Sequence, residues 1–424
     1  MNWIRLLLLA VVVLLPLIRP PGPGQTALAD AVLIVLLLLT WPKLWRSRRP
    51  LKLPLIGPQW LILTGSLIAT LASTNTVGCI VTLVQDVYIF IWFITTCNAI
   101  EPEDLLWLGR IWGVTALVQA GLIVLGAFAG VRALANEWGR GVGTFINPNM
   151  AASYIVTSFF VYLAIPFPRS RVLRAAGGAL LLAAAVATGS NAGLAALAAG
   201  LAALLAFRLV NQQRVLWHWL GLAALAGTVL CLLMILSTPS GSLAILAALS
   251  DTKGVLLLTL GRLGKGFASR TDIWTTAWQA FQQYPIGLGP GTSQIGLGGE
   301  LHNDFLSHLV ERSALGLTGL LWSVVNTFVC LWKMARAERE PGRKFPLPVG
   351  PLLAGFASAL PFMLTHEILH FRHHWVFLAL IFAQAPLSLL TWHRDSVHSR
   401  TWICGPIERV RKNGKRQNRA PDQF

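Results

Sequence analysis

The sequence predicts an all-α, polytopic membrane protein of about twelve transmembrane helices, and three observations carry this. Charged residues make up 12% of the 424, about half of the roughly 25% usual in a soluble domain. Apolar runs of ~17–22 residues recur along the chain, the length that crosses a hydrocarbon core. These runs are continuous rather than alternating. In lipid only helices and closed barrels satisfy every backbone group, so the runs read as helices.

Taken in order, the predicted spans are 3–18, 26–41, 54–73, 77–97, 105–128, 148–167, 175–189, 191–207, 216–236, 304–332, 347–365 and 375–391. The first follows Asn2 with little basic leader and no small-residue cleavage site, and reads as a retained span. The division is nine helices over 1–236, a long polar loop with short helices over 237–303, three helices over 304–391, and a basic tail over 392–424. The five cysteines form no CxxC pair and read as unpaired thiols.

Lysine and arginine set the orientation. With the N-terminus inside, 24 of the 34 fall in inside segments and eight in outside ones. That split, spread over every second loop, is what the positive-inside rule asks for. Both termini are then cytoplasmic and 237–303 faces the periplasm, as expected for a plasma (inner) membrane protein. The net charge of +17 collects partly in the tail segment Arg409–Arg416. Beside a span, such a cluster reads as an anchor on anionic lipid rather than a nucleic-acid patch. No GxxxxGK[ST] occurs, so energy comes from a gradient or an activated substrate.

The chemistry-bearing residues gather in and around the long loop. Ser269 and Asp272 resemble a capping box opening a helix to about Tyr284. Ile273, Trp274, Ala277, Trp278 and Phe281 give it one apolar face, suited to lying on the membrane or closing over a cavity. Arg270 sits in its first turn, the wrong end of the helix dipole for a cation, where a phosphate ligand would explain it. Pro285 ends the helix. The glycines of 287–291 permit a tight turn whose N–H groups suit an anion. His302 precedes the next span and is able to exchange a proton near neutral pH. Glu311 and Arg312 are ionisable residues inside a span, hence functional candidates or a structural ion pair. Arg140 and Asn149 open the sixth span from the same outer side. Asp86 is a candidate partner for Arg110. His366, Glu367, His370, Arg372, His373 and His374 cluster outside, but His366–His370 matches HExxH only at chance level, in a short loop, and no metal is assigned.

Four motifs in register carry a resemblance. They are Arg140…Gly143-Thr144-Phe145…Asn147-Pro148-Asn149, Ser269-Arg270…Trp274, Pro285-Ile286-Gly287-Leu288-Gly289-Pro290-Gly291, and His302-Asn303-Asp304-Phe305-Leu306…Glu311…Gly316. Together they resemble the O-antigen ligase / O-antigen polymerase family of membrane glycosyltransferases, a superfamily that also holds inorganic-carbon-transporter-like proteins. The resemblance implies a GT-C-like helical fold and a glycan donor linked to undecaprenyl pyrophosphate. The glycan would pass to an acceptor, a saccharide or a lipid-linked one, at the periplasmic face of the membrane, with no metal, nucleotide sugar or cofactor. Carried over, Arg270 holds the pyrophosphate, helped by Arg140 or Arg262, with Asn149 also on the substrate side. His302 acts as general base or positions the acceptor hydroxyl, and Asn303 and Glu311 orient His302. Fixed positive charge suits a pyrophosphate leaving group. Two positions depart from the pattern. Asn191 stands where many members carry arginine, and Ser313 where the family usually has glycine. A multi-pass transporter without transferase activity is the alternative reading.

Overall fold

A computed structural model describes residues 3–18, 27–47, 50–212, 268–293 and 301–390. The predicted span 216–236, Arg262 and the basic tail lie outside these. The helices are α1 (Trp3–Leu14), α2 (Leu28–Ser47), α3 (Ile56–Ala72), α4 (Thr76–Ala99), α5 (Asp104–Phe128), α6 (Pro148–Ala164), α7 (Arg171–Ala187), α8 (Asn191–Gln212), α9 (Ala268–Gln283), α10 (Asp304–Glu338), α11 (Val349–Thr365), α12 (Arg372–Gln384) and the single turn α13 (Leu387–Leu390). Among the described residues there is no strand, only one isolated bridge between Ala135 and Gly141.

Helices stand at every predicted span within the described residues, and their ends follow local chemistry. Asn75, Asn147, Ser170 and Asn303 each cap a following helix with a side-chain oxygen. Five helices (α2, α4, α5, α8 and α10) are long and apolar enough to cross a membrane, while α1, α3 and α11 are shorter apolar helices. The remainder fall short because about 20 residues are needed to cross ~30 Å, whereas α12 has 13. Large apolar side chains are left on the outer faces of α3 and α4, among them Leu71 at 77% exposure and Val77 at 76%. On a multi-pass membrane protein these faces meet lipid tails rather than water.

The core is rich in aromatics. The Trp112 and Tyr154 rings stack at 6.2 Å, and the Trp112 indole donates to the Ser158 hydroxyl at 2.7 Å, which joins α5 to α6. α10 packs along α3 through small residues. A Cβ added to Gly65 would sit 2.4 Å from the Arg312 carbonyl oxygen, so the two backbones meet only because that position is bare.

α10 is not one straight helix. Arg312 (φ −124°, ψ 15°) and Ser313 (φ 63°, ψ −175°) break it after Glu311. No proline or glycine occupies the break. A small second core, formed by Ala277, Ala280, Leu301 and Val310 with Ile273, Phe281 and Leu288 against it, seats α9 beside the first half of α10. The expected apolar face of α9 is thereby corrected in part. Trp278 stays half exposed, its ring 5.7 Å from Phe281, because the helix buries its two alanines instead.

Candidate functional site

The site is built where the glycine loop meets the break in α10. Leu288 N–H donates to the Val310 carbonyl at 2.8 Å and Gly289 N–H to the Glu311 carbonyl at 3.1 Å. These are the carbonyls that the break removes from helical pairing, so the loop replaces the missing intrahelical donors. Gly291 N–H then donates to Glu311 Oε2 at 3.0 Å, and Ser293 N–H to Oε1 at 3.2 Å. The turn does receive an anion, and that anion is the Glu311 carboxylate. Gly289 (φ 104°) permits it, since a Cβ there would sit 2.4 Å from Cys79 Sγ.

Arg312 completes the arrangement. Its guanidinium donates to Asp86 Oδ2 at 2.9 Å, Glu311 Oε2 at 3.1 Å and Ser66 Oγ at 3.1 Å, with only 3% of the side chain exposed. The expected pairing of Asp86 with Arg110 is overturned. Arg110 is exposed on α5, while the close approach of α10 to α3 brings Arg312 to α4. A buried guanidinium is tolerated only when its donors are met, and here two carboxylates and a hydroxyl meet them. Gln59, Asp86, His308, Arg312, His370 and His374 also line a cavity of about 60 Å³ between α3, α4 and α10–α12. That is room for ordered water beside the buried charges.

His302 stands at the mouth of α10 with φ 49°, half-buried, its ring centroid 5.7 Å from that of His366. Asn303 caps the helix. Its Oδ1 accepts the N–H groups of Phe305 and Leu306 at 3.0 Å, and its Nδ2 donates to the Leu364 carbonyl at 3.1 Å. Among the described residues, the side chains of Asn303 and Glu311 bond to partners other than His302. The carboxylate is committed to the loop and to Arg312, and Glu311 lies about 10 Å further along the helix axis than Asp304. The residue that fixes this entrance is Asp304, which the sequence reading passed over. It is 1% exposed and accepts the Ile368 N–H at 3.0 Å, tying α10 to the turn before α12. Its position between Asn303 and Phe305 in the motif was the available signal.

Arg140 and Asn149 are brought together. Arg140 Nε donates to the Thr188 carbonyl at 2.7 Å and its Nη2 to Asn149 Oδ1 at 3.2 Å, which also accepts the Ser190 hydroxyl at 2.9 Å. Beside them, the Oδ1 of Asn191 is buried without a hydrogen-bond partner among the described residues. One turn along α6, Ser153 Oγ lies 3.0 Å from His373 Nε2, which links this cluster to α12 and the His366 turn. Arg270 has its backbone in the first turn of α9, with its side chain outside the described set, and Arg262 lies outside it altogether.

The histidines of 366–374 take separate side-chain partners, although His370 and His374 line the same cavity. His373 meets Ser153, the His374 ring contacts Trp375, His370 lies 3.6 Å from Glu367, and Arg372 forms a two-pronged pair with Asp30 at 2.7 and 2.5 Å. Among the described residues no three His, Cys, Asp or Glu side chains gather as a metal-binding group.

Residues 176–322 match the family model described as O-antigen ligase. The match runs from α7 into the second half of α10 and includes Asn191, Arg270, His302 and Glu311, while Arg140 and Asn149 precede it. No curated protein matches the chain. The matched segment and the apolar helices around it describe a multi-pass membrane protein of the O-antigen ligase type. Residues 176–322, about a third of the chain, are thus similar to the O-antigen ligase family.

Proposed function

We propose that this protein transfers a glycan from an undecaprenyl-pyrophosphate donor to an acceptor sugar at the periplasmic face of the inner membrane. The observation that carries this is the position of the family match. It covers the segment in which the glycine loop, the break in α10 and His302 are assembled against one another.

In the reaction, the acceptor hydroxyl oxygen bonds to the anomeric carbon and the bond from that carbon to the pyrophosphate oxygen breaks. The hydroxyl proton passes to His302, and the pyrophosphate leaves as an anion. Arg270 supplies fixed positive charge to that leaving group, with Arg262 or Arg140 beside it. Arg140 is already turned by its bonds to Thr188 and Asn149, so it contributes as a pre-set dipole and charge rather than a mobile hook. Asn303 and Asp304 hold the entrance of α10, and Glu311 with Arg312 holds the loop beside it, so both act as positioning residues. Two cytoplasmic termini, twelve spans and a GT-C-like arrangement belong to the same proposal.

The test is complementation. Deletion of the gene in its host is expected to accumulate lipid-linked glycan and to change the surface polysaccharide. His302→Ala and Arg270→Ala, present in the membrane at normal level, are expected not to restore transfer. An unchanged glycan profile on deletion, or full rescue by both variants, rejects the transferase reading and makes solute uptake the next assay.

A further inference from the structure

At the other end of α6 lies a groove that the proposed reaction does not use. Its walls are Phe159 and Leu163 of α6 and Ala175, Gly178, Ala179 and Leu182 of α7, and its volume is about 500 Å³. Arg171 and Arg174 line one end. Positions 171, 174, 175, 178 and 182 recur at helical spacing, so one face of α7 carries two cations followed by a run of small and apolar side chains. A Cβ added to Gly178 would meet nothing within 4 Å, so the groove is open there. From Arg171 to Leu182 the helix rises ~16 Å, the scale of an extended acyl chain.

Among the described residues the charge at this end has no acidic counterpart. Between Glu137 and Asp251 the sequence holds no acidic residue, while Arg169, Arg171 and Arg174 fall within six positions. Among the described residues none of the three arginines has a carboxylate partner. Arg174 is held by donating to the Leu163 carbonyl at 3.0 Å, where it caps the end of α6. Arg171 is exposed and adjacent to it. Two guanidinium groups at the mouth of an apolar channel match a ligand with an anionic head and a hydrocarbon tail, and basic pockets between helices bind anionic lipid in this way.

We infer that the groove between α6 and α7 is a binding site for one anionic glycerophospholipid. The phosphate lies against Arg171 and Arg174, and an acyl chain runs along Ala175, Gly178 and Leu182. This rests on the chain lying in a membrane and is independent of the transfer reaction.

The experiment is native mass spectrometry of the full chain in detergent, titrated separately with phosphatidylglycerol and phosphatidylcholine. Phosphatidylglycerol is expected to be retained with a preference of roughly thirtyfold, from two cations at the surface. Arg171→Gln leaves the Arg174 cap in place, and is expected to remove most of the preference without moving the thermal midpoint. Gly178→Leu fills the groove and is expected to weaken both lipids. Equal retention of the two lipids by the native chain, or a preference unchanged in both variants, overturns the assignment.

Discussion

The Glu311 carboxylate accepts the backbone N–H of Gly291 at 3.0 Å, and its second oxygen accepts that of Ser293 at 3.2 Å. The loop thus folds onto a side chain that is itself fixed by Arg312. In Glu311→Gln the amide keeps one acceptor and turns a donor toward the other N–H. Hydrogen bonds to charged groups contribute ~1.5–3 kcal/mol, so a loss of that order is expected. Limited proteolysis should cut faster between 284 and 293, and the thermal midpoint in detergent should fall. Native resistance in both measurements would remove the clamp from the account.

Arg312 offers a double-mutant cycle. Arg312→Gln leaves Asp86 and Glu311 facing each other without their shared cation, and breaking a buried pair costs about 3–5 kcal/mol. Adding Asp86→Asn removes one of the stranded charges and is expected to recover at least ~1 kcal/mol, a coupling within the range of directly contacting residues. Arg110→Gln, on an exposed side chain, serves as the control and should stay within ~0.5 kcal/mol of native. Additive single effects would show that the pair is not energetically joined.

Ser313 holds φ 63° and ψ −175°, a region open in practice only to glycine and strained by ~1–3 kcal/mol for other residues. Its hydroxyl accepts the Leu315 N–H at 3.3 Å, which offsets part of that strain. Ser313→Gly is expected to raise the thermal midpoint, and Ser313→Val to lower it. Equal midpoints for serine and glycine would mean that the break relaxes to another backbone geometry.

Gly289→Ala is predicted to cost at least ~1–3 kcal/mol, because it combines φ 104° with a Cβ 2.4 Å from Cys79 Sγ. Gly121→Ala, where nothing lies within 4 Å, is the comparison and should cost nothing. Thermal unfolding of the two variants side by side separates local crowding from a general intolerance of alanine.

The helices were legible because apolar runs and caps are local properties. Asn147 and Asn303 cap from inside their own motifs, and the break before Pro285 needed only one residue to be seen. The site was legible in its parts and not in its wiring. Asp86 lies 226 positions from Arg312, and nothing in spacing distinguishes that arginine from Arg110, which lies nearer in sequence. The break after Glu311 carries no proline or glycine, since it is imposed by α3 and the loop from outside. An anion-receiving glycine turn was foreseen, but whether the anion is a ligand or a side chain depends on tertiary contact alone. Asp304 escaped notice because a carboxylate beside a helix start is ordinary, and only its partner at Ile368 makes it a tie between segments.

The break in α10 has an electrostatic consequence for where a substrate phosphate is able to rest. It leaves an internal helix end after Glu311 whose Val310 and Glu311 carbonyls accept the Leu288 and Gly289 N–H groups. Among the described residues, Asp86 and Glu311 share a single cation, Arg312. With two carboxylates against one guanidinium, this cluster is rich in acidic groups. Under the proposed transfer, Coulomb repulsion disfavours a pyrophosphate beside these carboxylates. A neutral hydroxyl meets no such barrier. Under that proposal, the few charges that hold the helix break also discriminate between an anionic donor and a neutral acceptor hydroxyl.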